Sequence, residues 1–424
     1  MQNPALKNRW LIALSAIGIH LSIGAAYAYS VYTIPLTETM GWTVSSVTLA
    51  FTFMMVLGGG AAALFGKFVE RSGPRKSAML AAVLFGLGQA GSGLSVAMDS
   101  LPLFLLTYGI LSGLGLGIGY IAPVSTLVKW FPDHRGLATG MAVLGFGTGA
   151  LITAPVAAYL MENLSIPVTF YILGFSYFLL MTLAALYIAP PPKGWLPQGM
   201  KDAVKAGTRK IKIDLTQSTG KEAVNSRHFW MLWTMMLINT SAGIMMISVA
   251  SPMAQQVVGL SAGAAATMVG IMGIFNGAGR IGWAAASDYI SRPVVFISFF
   301  IIQLVTFLTL PIITSVIIFQ VLIFLVVSCY GGGFSNLPAF IADLFGTKEL
   351  GAIHGYLLTT WSLGGLIGPT LVSQIYTRTG SYIPVFYVFA VLIAIAFIIS
   401  ILLFADIRKV KRKKSHQNAV SAEA

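Results

Sequence analysis

Charge is scarce in this chain. Only 9% of its 424 residues are Asp, Glu, Lys or Arg, against roughly 25% in an average soluble protein. Acids are the rarer half, 13 against 26 basic residues, and the formal net charge is +13. A single cysteine, Cys329, excludes an internal disulfide framework and a cysteine-rich metal site. No metal-ligand cluster, nucleophilic triad or paired carboxylates appear, so an enzyme is not expected, nor a metal or cofactor. Apolar residues fill the space: 56% of the chain is hydrophobic and the mean hydropathy is +0.83. A soluble fold cannot hide that much apolar surface and keep a wet exterior. Soluble proteins, nucleic-acid binders and disordered chains are thereby excluded. The basic excess on such a chain reflects membrane topology rather than a nucleic-acid partner.

A helix needs about 20 apolar residues to cross a bilayer. Twelve stretches qualify, at roughly 10–37, 45–69, 78–97, 102–128, 136–162, 166–189, 227–257, 262–287, 293–312, 315–343, 350–378 and 382–405. Runs this long without period-2 alternation disfavour a β-barrel. The expected fold class is an all-α membrane protein of twelve transmembrane helices. Lys7, Arg9 and Ala26-Tyr27-Ala28 have the look of a cleavable signal peptide. The apolar run continues to about Pro35, however, so the segment is expected to be retained as the first span.

Basic residues set the orientation. With both termini and the long 190–226 connection in the cytoplasm, every Lys and Arg except Arg280 and Arg378 falls on the cytoplasmic side. This satisfies the positive-inside rule and predicts a multi-pass plasma (inner) membrane protein. The central connection contributes Lys193, Lys201, Lys205, Arg209, Lys210, Lys212, Lys221 and Arg227. Lys201 to Lys212 reads either as a basic surface helix against anionic lipid or as a solvated linker.

The chain also repeats itself. The link after span 2 carries Gly66, Glu70, Arg71 and Arg75, and the link after span 8 carries Gly282, Asp288 and Arg292. These acid–base groups read as structural or gating pairs at helix ends. Spans 4 and 10 each have a glycine run before a proline: Gly113 to Gly119 before Pro123, and Gly331-Gly332-Gly333 before Pro338. Spans 5 and 11 share Gly136-x-x-x-Gly140 with Pro155 and Gly351-x-x-x-Gly355 with Pro369. The glycines read as close-packing sites between membrane helices rather than a nucleotide loop. The expected domains are a six-helix bundle at 1–189, a linker at 190–226, a second bundle at 227–406 and a basic tail at 407–424. Six spans plus six in parallel repeat is the organisation of a secondary transporter.

On these features the chain resembles the major facilitator superfamily over nearly its whole length. Trp130-Phe-Pro-Asp-His-Arg135-Gly136-Leu-Ala-Thr-Gly140 is similar to the link before span 5 in monocarboxylate transporters and oxalate–formate antiporters. Phe275-Asn276-Gly277-Ala-Gly-Arg280 and Lys221-Glu222-Ala…Phe229-Trp230-Met-Leu-Trp233 resemble the same group. The resemblance implies transport of a small monocarboxylate such as lactate or pyruvate by alternating access, as a monomer.

Arg280 is the one charge deep in a span. It precedes Asp288 by eight residues, ~12 Å of helix at 1.5 Å per residue, and so lies below the bilayer surface. Burying an arginine there costs roughly 2.5–3.5 kcal/mol. Its planar fork matches a carboxylate, and Asn276, one turn earlier, shares its face. No acid lies mid-span: Glu38, Asp99, Glu162, Asp288 and Asp343 all fall near span ends. A substrate anion is the expected partner, and snorkelling toward the cytoplasm is the alternative. In related transporters, the resemblance implies, this arginine binds the substrate carboxylate. Oxalate-type antiporters add a lysine in span 11, where this chain has Trp361, which points to one negative charge rather than two. Tyr27, Tyr120, Tyr330 and Phe334 are the further binding candidates, with ordinary packing as the alternative for each.

With no Walker A sequence, transport is expected to run on gradients. Animal monocarboxylate transporters carry an aspartate where this chain has Asn276, which does not titrate. His20, read as the titratable imidazole inside an apolar span, is the proton-coupling candidate, with ordinary packing as the alternative and the proton then travelling with the undissociated acid or with water or hydroxide at Arg280. Proton symport is thus the expected mode. Carboxylate exchange, an anion channel and a transporter-like sensor remain as alternatives.

Overall fold

A computed structural model describes residues 7–192, 194–205 and 216–423. Among them every regular element is helical. The first unit opens with α1 (Arg9–Gly24), a 3-10 turn (Ala25–Ala28) and α2 (Ser30–Met40), which together form the first expected span. There follow α3 (Val44–Ala97), α4 (Leu101–Phe104), a π-helical stretch (Leu105–Leu111), α5 (Ser112–Trp130), α6 (Arg135–Asn163) and α7 (Ile166–Tyr187). Two short helices, α8 (Gln198–Lys205) and α9 (Gly220–Val224), lie in the central connection. Next come α10 (Arg227–Val258), α11 (Ala262–Ile290), α12 (Arg292–Thr309), α13 (Val316–Phe345), α14 (Leu350–Thr379) and α15 (Ile383–Glu423). Lys193, Arg209, Lys210, Lys212 and the second half of the expected 201–212 surface helix lie outside the described residues.

Nine helical stretches among the described residues are long and apolar enough to cross a membrane. One of them, Leu49–Ala97, spans 49 residues and holds two passes. They are separated at Gly73, whose φ of 79° and ψ of 166° interrupt the helix just before Pro74. Only a residue without a Cβ takes that conformation at little cost. The eighth and eleventh expected passes are α11 and α14, 29 and 30 residues long. Their glycines, serines, threonines and internal polar residues dilute their hydropathy, but their length suffices.

Contacts divide the chain into two compact units, Met1–Lys210 with Glu349–Ser362, and Ile211–Lys348 with Leu363–Ala424. In the first, α5 packs between the two passes of α3. A Cβ on Gly113 or Gly117 would strike Met54, Gly58 and Ala62 of the first pass. One on Gly115 or Gly119 would meet Phe85 and Ala81 of the second. Two interleaved small-x-x-x-small rows thus let one helix approach two others. Gly24 and Gly149 make the same close approach between α1 and α6. In the second unit α11 packs on α13, α12 on α13 and α15, and α10 on α11, α13 and α15.

The outer helix faces are apolar too. Leu64, Leu151, Phe175, Ile317 and Val391 are all more than half exposed. Water would drive such a surface to aggregate, whereas lipid accepts it as long as the backbone is satisfied within each helix.

Candidate functional site

Arg280 sits ten residues before the end of α11 and is only 2% exposed. Its Nε donates to Asn276 Oδ1 at 2.9 Å. The two residues are four apart on one helix, so the amide reaches the guanidinium without any help from loops. That bond fixes the plane of the guanidinium and hence the direction of its terminal nitrogens. Opposite stands α13. A Cβ on Gly331 would collide with the Asn276 carbonyl and come within 3.0 Å of Asn276 Oδ1 and 3.2 Å of Arg280 Cγ. Glycine at 331 is therefore what lets α13 close over the pair. Tyr330 and Phe334, both 3% exposed, pack edge to face with ring centroids 5.3 Å apart. The second unit thus holds two pairs, Arg280 with Asn276 on α11 against Gly331 of α13, and Tyr330 with Phe334 on α13, the Tyr330 ring lying against Gly243 of α10.

The remaining candidates gather in the first unit. Tyr27, in the 3-10 turn, lies 4.8 Å from Phe146 and 6.3 Å from Trp361. Tyr120 lies 5.6 Å from Phe146 and 5.9 Å from Trp361. Trp361 belongs to the first turns of α14, which pack with this unit. His20 stacks on Tyr120 at 5.0 Å, and its Nε2 lies 3.0 Å from the Tyr120 carbonyl oxygen. A carbonyl only accepts, so Nε2 carries the hydrogen.

Sequence reasoning missed two residues of this cluster. Phe146 touches the rings of His20, Tyr27, Tyr120 and Trp361, yet a phenylalanine in an apolar helix gives no signal by itself. His354 lies 5.8 Å from Tyr120. It corrects the reading of His20 as the imidazole within a span, because α14 carries a second one between Gly351 and Gly355. The signal that marks His20, an imidazole in an apolar run, is present there too.

The acid–base groups at the helix ends form two sets. In the first unit Glu70 Oε2 accepts from Lys129 Nζ at 2.9 Å, and Oε1 accepts from the Gly351 amide at 2.6 Å. Glu70 thereby caps the start of α14. Arg71 and Arg75 are exposed. In the second unit Arg292, 3% exposed, donates to Asp288 at 2.5 Å and pairs with Asp343 at 3.4 Å. Removing one member of a buried pair leaves uncompensated charge and costs roughly 3–5 kcal/mol. Arg292→Ala is therefore expected to lower the thermal stability of the detergent-solubilised protein markedly. An unchanged melting temperature would contradict this role. Ahead of α10, Thr219 and Glu222 make a capping box, and the hydrogen bond from the Thr219 amide at 2.7 Å holds the Glu222 carboxyl below its usual range.

Comparison with known proteins places these features in a family. The profile of the Major Facilitator Superfamily matches residues 14–290 and 240–423. The oxalate:formate antiporter of Oxalobacter formigenes is 28% identical over 378 residues, covering 88% of this chain and 87% of that protein. Monocarboxylate transporter 12 of Mus musculus is 24% identical over 357 residues, 78% of this chain and 71% of that protein. Among solved structures, the human organic anion transporter MFSD10 superposes with a TM-score of 0.69 at 13% identity, covering 94% of this chain and all 100% of that one. The proton:xylose symporter XylE superposes with a TM-score of 0.67 at 15% identity, covering 92% and 94%.

Proposed function

The chain belongs to the Major Facilitator Superfamily, and from that premise we propose that it carries a small monocarboxylate, such as lactate or pyruvate, together with a proton. The fold is the superfamily's, twelve transmembrane helices in two six-helix bundles. The observation that carries the proposal is Arg280, buried in a membrane helix and oriented by Asn276. A guanidinium in that setting needs an anion. Its planar fork selects a carboxylate, and a single cation selects a monoanion. Tyr330 and Phe334 then supply ring surface for a two- or three-carbon chain and a hydroxyl for a hydroxy or keto oxygen. Arg280, Asn276, Tyr330 and Phe334 form the proposed binding group of the second unit, and Tyr27, Tyr120 and Trp361 that of the first. The basic residues support an orientation with both termini in the cytoplasm of a plasma membrane.

A second reading is carboxylate exchange, favoured by the similarity to the oxalate:formate antiporter. Labelled L-lactate uptake into proteoliposomes separates the two. Symport predicts that an acid-outside gradient accelerates uptake, and a carrier of either kind predicts acceleration by unlabelled lactate inside. Uptake indifferent to the gradient but accelerated from within would establish exchange. Uptake that never saturates and shows no acceleration would establish a channel and end both readings.

A further inference from the structure

A carrier that moves a monoanion with a proton can hold that proton on a group of its own. A guanidinium does not give up its proton in a protein and an amide does not titrate, so neither side chain type of the α11 pair serves. The first unit contains a group suited to the task. His354 lies in the first turns of α14, where the helix is pressed onto α3. A Cβ on Gly355 would strike the Ala62 carbonyl, and one on Gly351 would come within 3.0 Å of Glu70 Oε1. In this tight seam the His354 ring is completely buried, and neither ring nitrogen has a hydrogen-bond partner among the described residues. Neutral imidazole has one donor and one acceptor to satisfy, and each buried polar atom left unmatched costs about 1–3 kcal/mol. A leucine or phenylalanine would fill the same space without that cost. The histidine is maintained against its own packing energy in this arrangement, which points to a state in which its nitrogens are used.

The groups facing it narrow that use. From α5 comes the Tyr120 ring, 5.8 Å away. Against the same tyrosine is His20 of α1, whose Nε2 hydrogen is committed to the Tyr120 carbonyl. One turn earlier along α14, at Gly351, is the Glu70 carboxylate of α3 with its partner Lys129 of α5. Glu70 is already engaged by a cation and an amide. Both imidazoles thus lie against the same tyrosine ring, His20 at 5.0 Å and His354 at 5.8 Å.

We propose that His354 is the proton-binding residue of the transport cycle, taking one proton on a ring nitrogen with each monocarboxylate and returning it to water on release. His20 and Tyr120 are positioning residues that line it. The inference rests on the symport reading given above. The proton adds to a lone pair and leaves the same way, so no other bond changes.

The test uses the full-length protein in proteoliposomes with labelled L-lactate. With an acid-outside gradient of about two pH units, one proton per anion permits about hundredfold accumulation. For His354→Gln and His354→Asn, accumulation is expected to fall at least about tenfold, to the level seen without a gradient. Lactate/lactate exchange at equal pH on both sides is expected to fall less than about threefold and to lose its pH dependence between about pH 5 and 8. A residue that merely packs would depress both processes together, so parallel loss in both variants would overturn the proposal. So would a wild-type gradient response in His354→Gln, or a lost gradient response confined to His20→Gln. Wild-type protein that exchanges lactate but ignores the gradient would overturn this proposal and leave carboxylate transport standing. Wild-type protein that moves no lactate, pyruvate or formate would overturn the functional reading itself.

Discussion

Arg280→Ala is expected to reduce carrier-mediated lactate uptake by more than about a hundredfold, with the loss persisting at saturating substrate. Hydrogen bonds to charged groups contribute about 1.5–3 kcal/mol each, and a guanidinium fork makes two of them to one carboxylate. About 3 kcal/mol corresponds to roughly two orders of magnitude. Arg280→Lys keeps the charge but loses the fork and the planar bond to Asn276, so an intermediate loss of about ten- to hundredfold is expected. Stability is expected to respond differently from function. Arg292 is paired with Asp288 and Asp343, and its loss strands two acids. Arg292→Ala is expected to lose stability, whereas Arg280→Ala removes the carboxylate-binding fork and is expected to be the less active of the two per folded molecule. Uptake measured per reconstituted protein, beside melting in detergent, checks both halves. Full uptake by Arg280→Ala would remove the assigned binding site.

Asn276→Asp carries the next largest effect. The wild-type amide accepts from Arg280 Nε at 2.9 Å while leaving the guanidinium its full positive charge. A carboxylate at the same position accepts the same bond, adds a full opposite charge to it, and neutralises the pair. A monoanion must then compete with an internal counter-ion four residues away on the same helix face. A loss of about 1.5–3 kcal/mol in binding corresponds to roughly a ten- to hundredfold rise in KM at neutral pH. Because the substitution acts on binding, KM is expected to change more than the maximal rate. Concentration-dependent uptake measures this, and a wild-type KM would show that the amide does not govern the charge presented to substrate.

Much of the architecture is legible in the chain. Apolar runs mark where helices meet lipid, and each of the twelve corresponds to helix. They do not mark where helices end. The link expected between spans 2 and 3 covers residues 70–77, yet helix continues through Glu70, Arg71, Arg75 and Lys76 and breaks at Gly73. Hydropathy reports solvent, and a helix keeps its hydrogen bonds on both sides of a membrane boundary. The same reason carries α15 past residue 405 to Glu423. At the binding group, Arg280 and Asn276 are legible because they violate their apolar surroundings at helical spacing. Phe146 is not, because its significance lies in which rings meet it across helices, whereas His354 carries the same signal as His20, an imidazole in an apolar run. The assignment of the first turns of α14 to the first unit has no counterpart in the expected 1–189 and 227–406 boundaries, since periodicity within one helix says nothing of its neighbours.

The break at Gly73 has a counterpart. Ser291, between α11 and α12, has φ 78° and ψ 146°, close to the 79° and 166° of Gly73, with a proline shortly after each. For a serine that backbone is strained by about 1–3 kcal/mol, so the turn retains its shape where it has lost its glycine. Each helical hairpin is closed by a single residue, and one residue reaches less than ~4 Å. Within each unit these two passes are tethered without slack. Neither can slide or tilt at that end without pulling its partner with it, so each pair behaves mechanically as one lever rather than two rods.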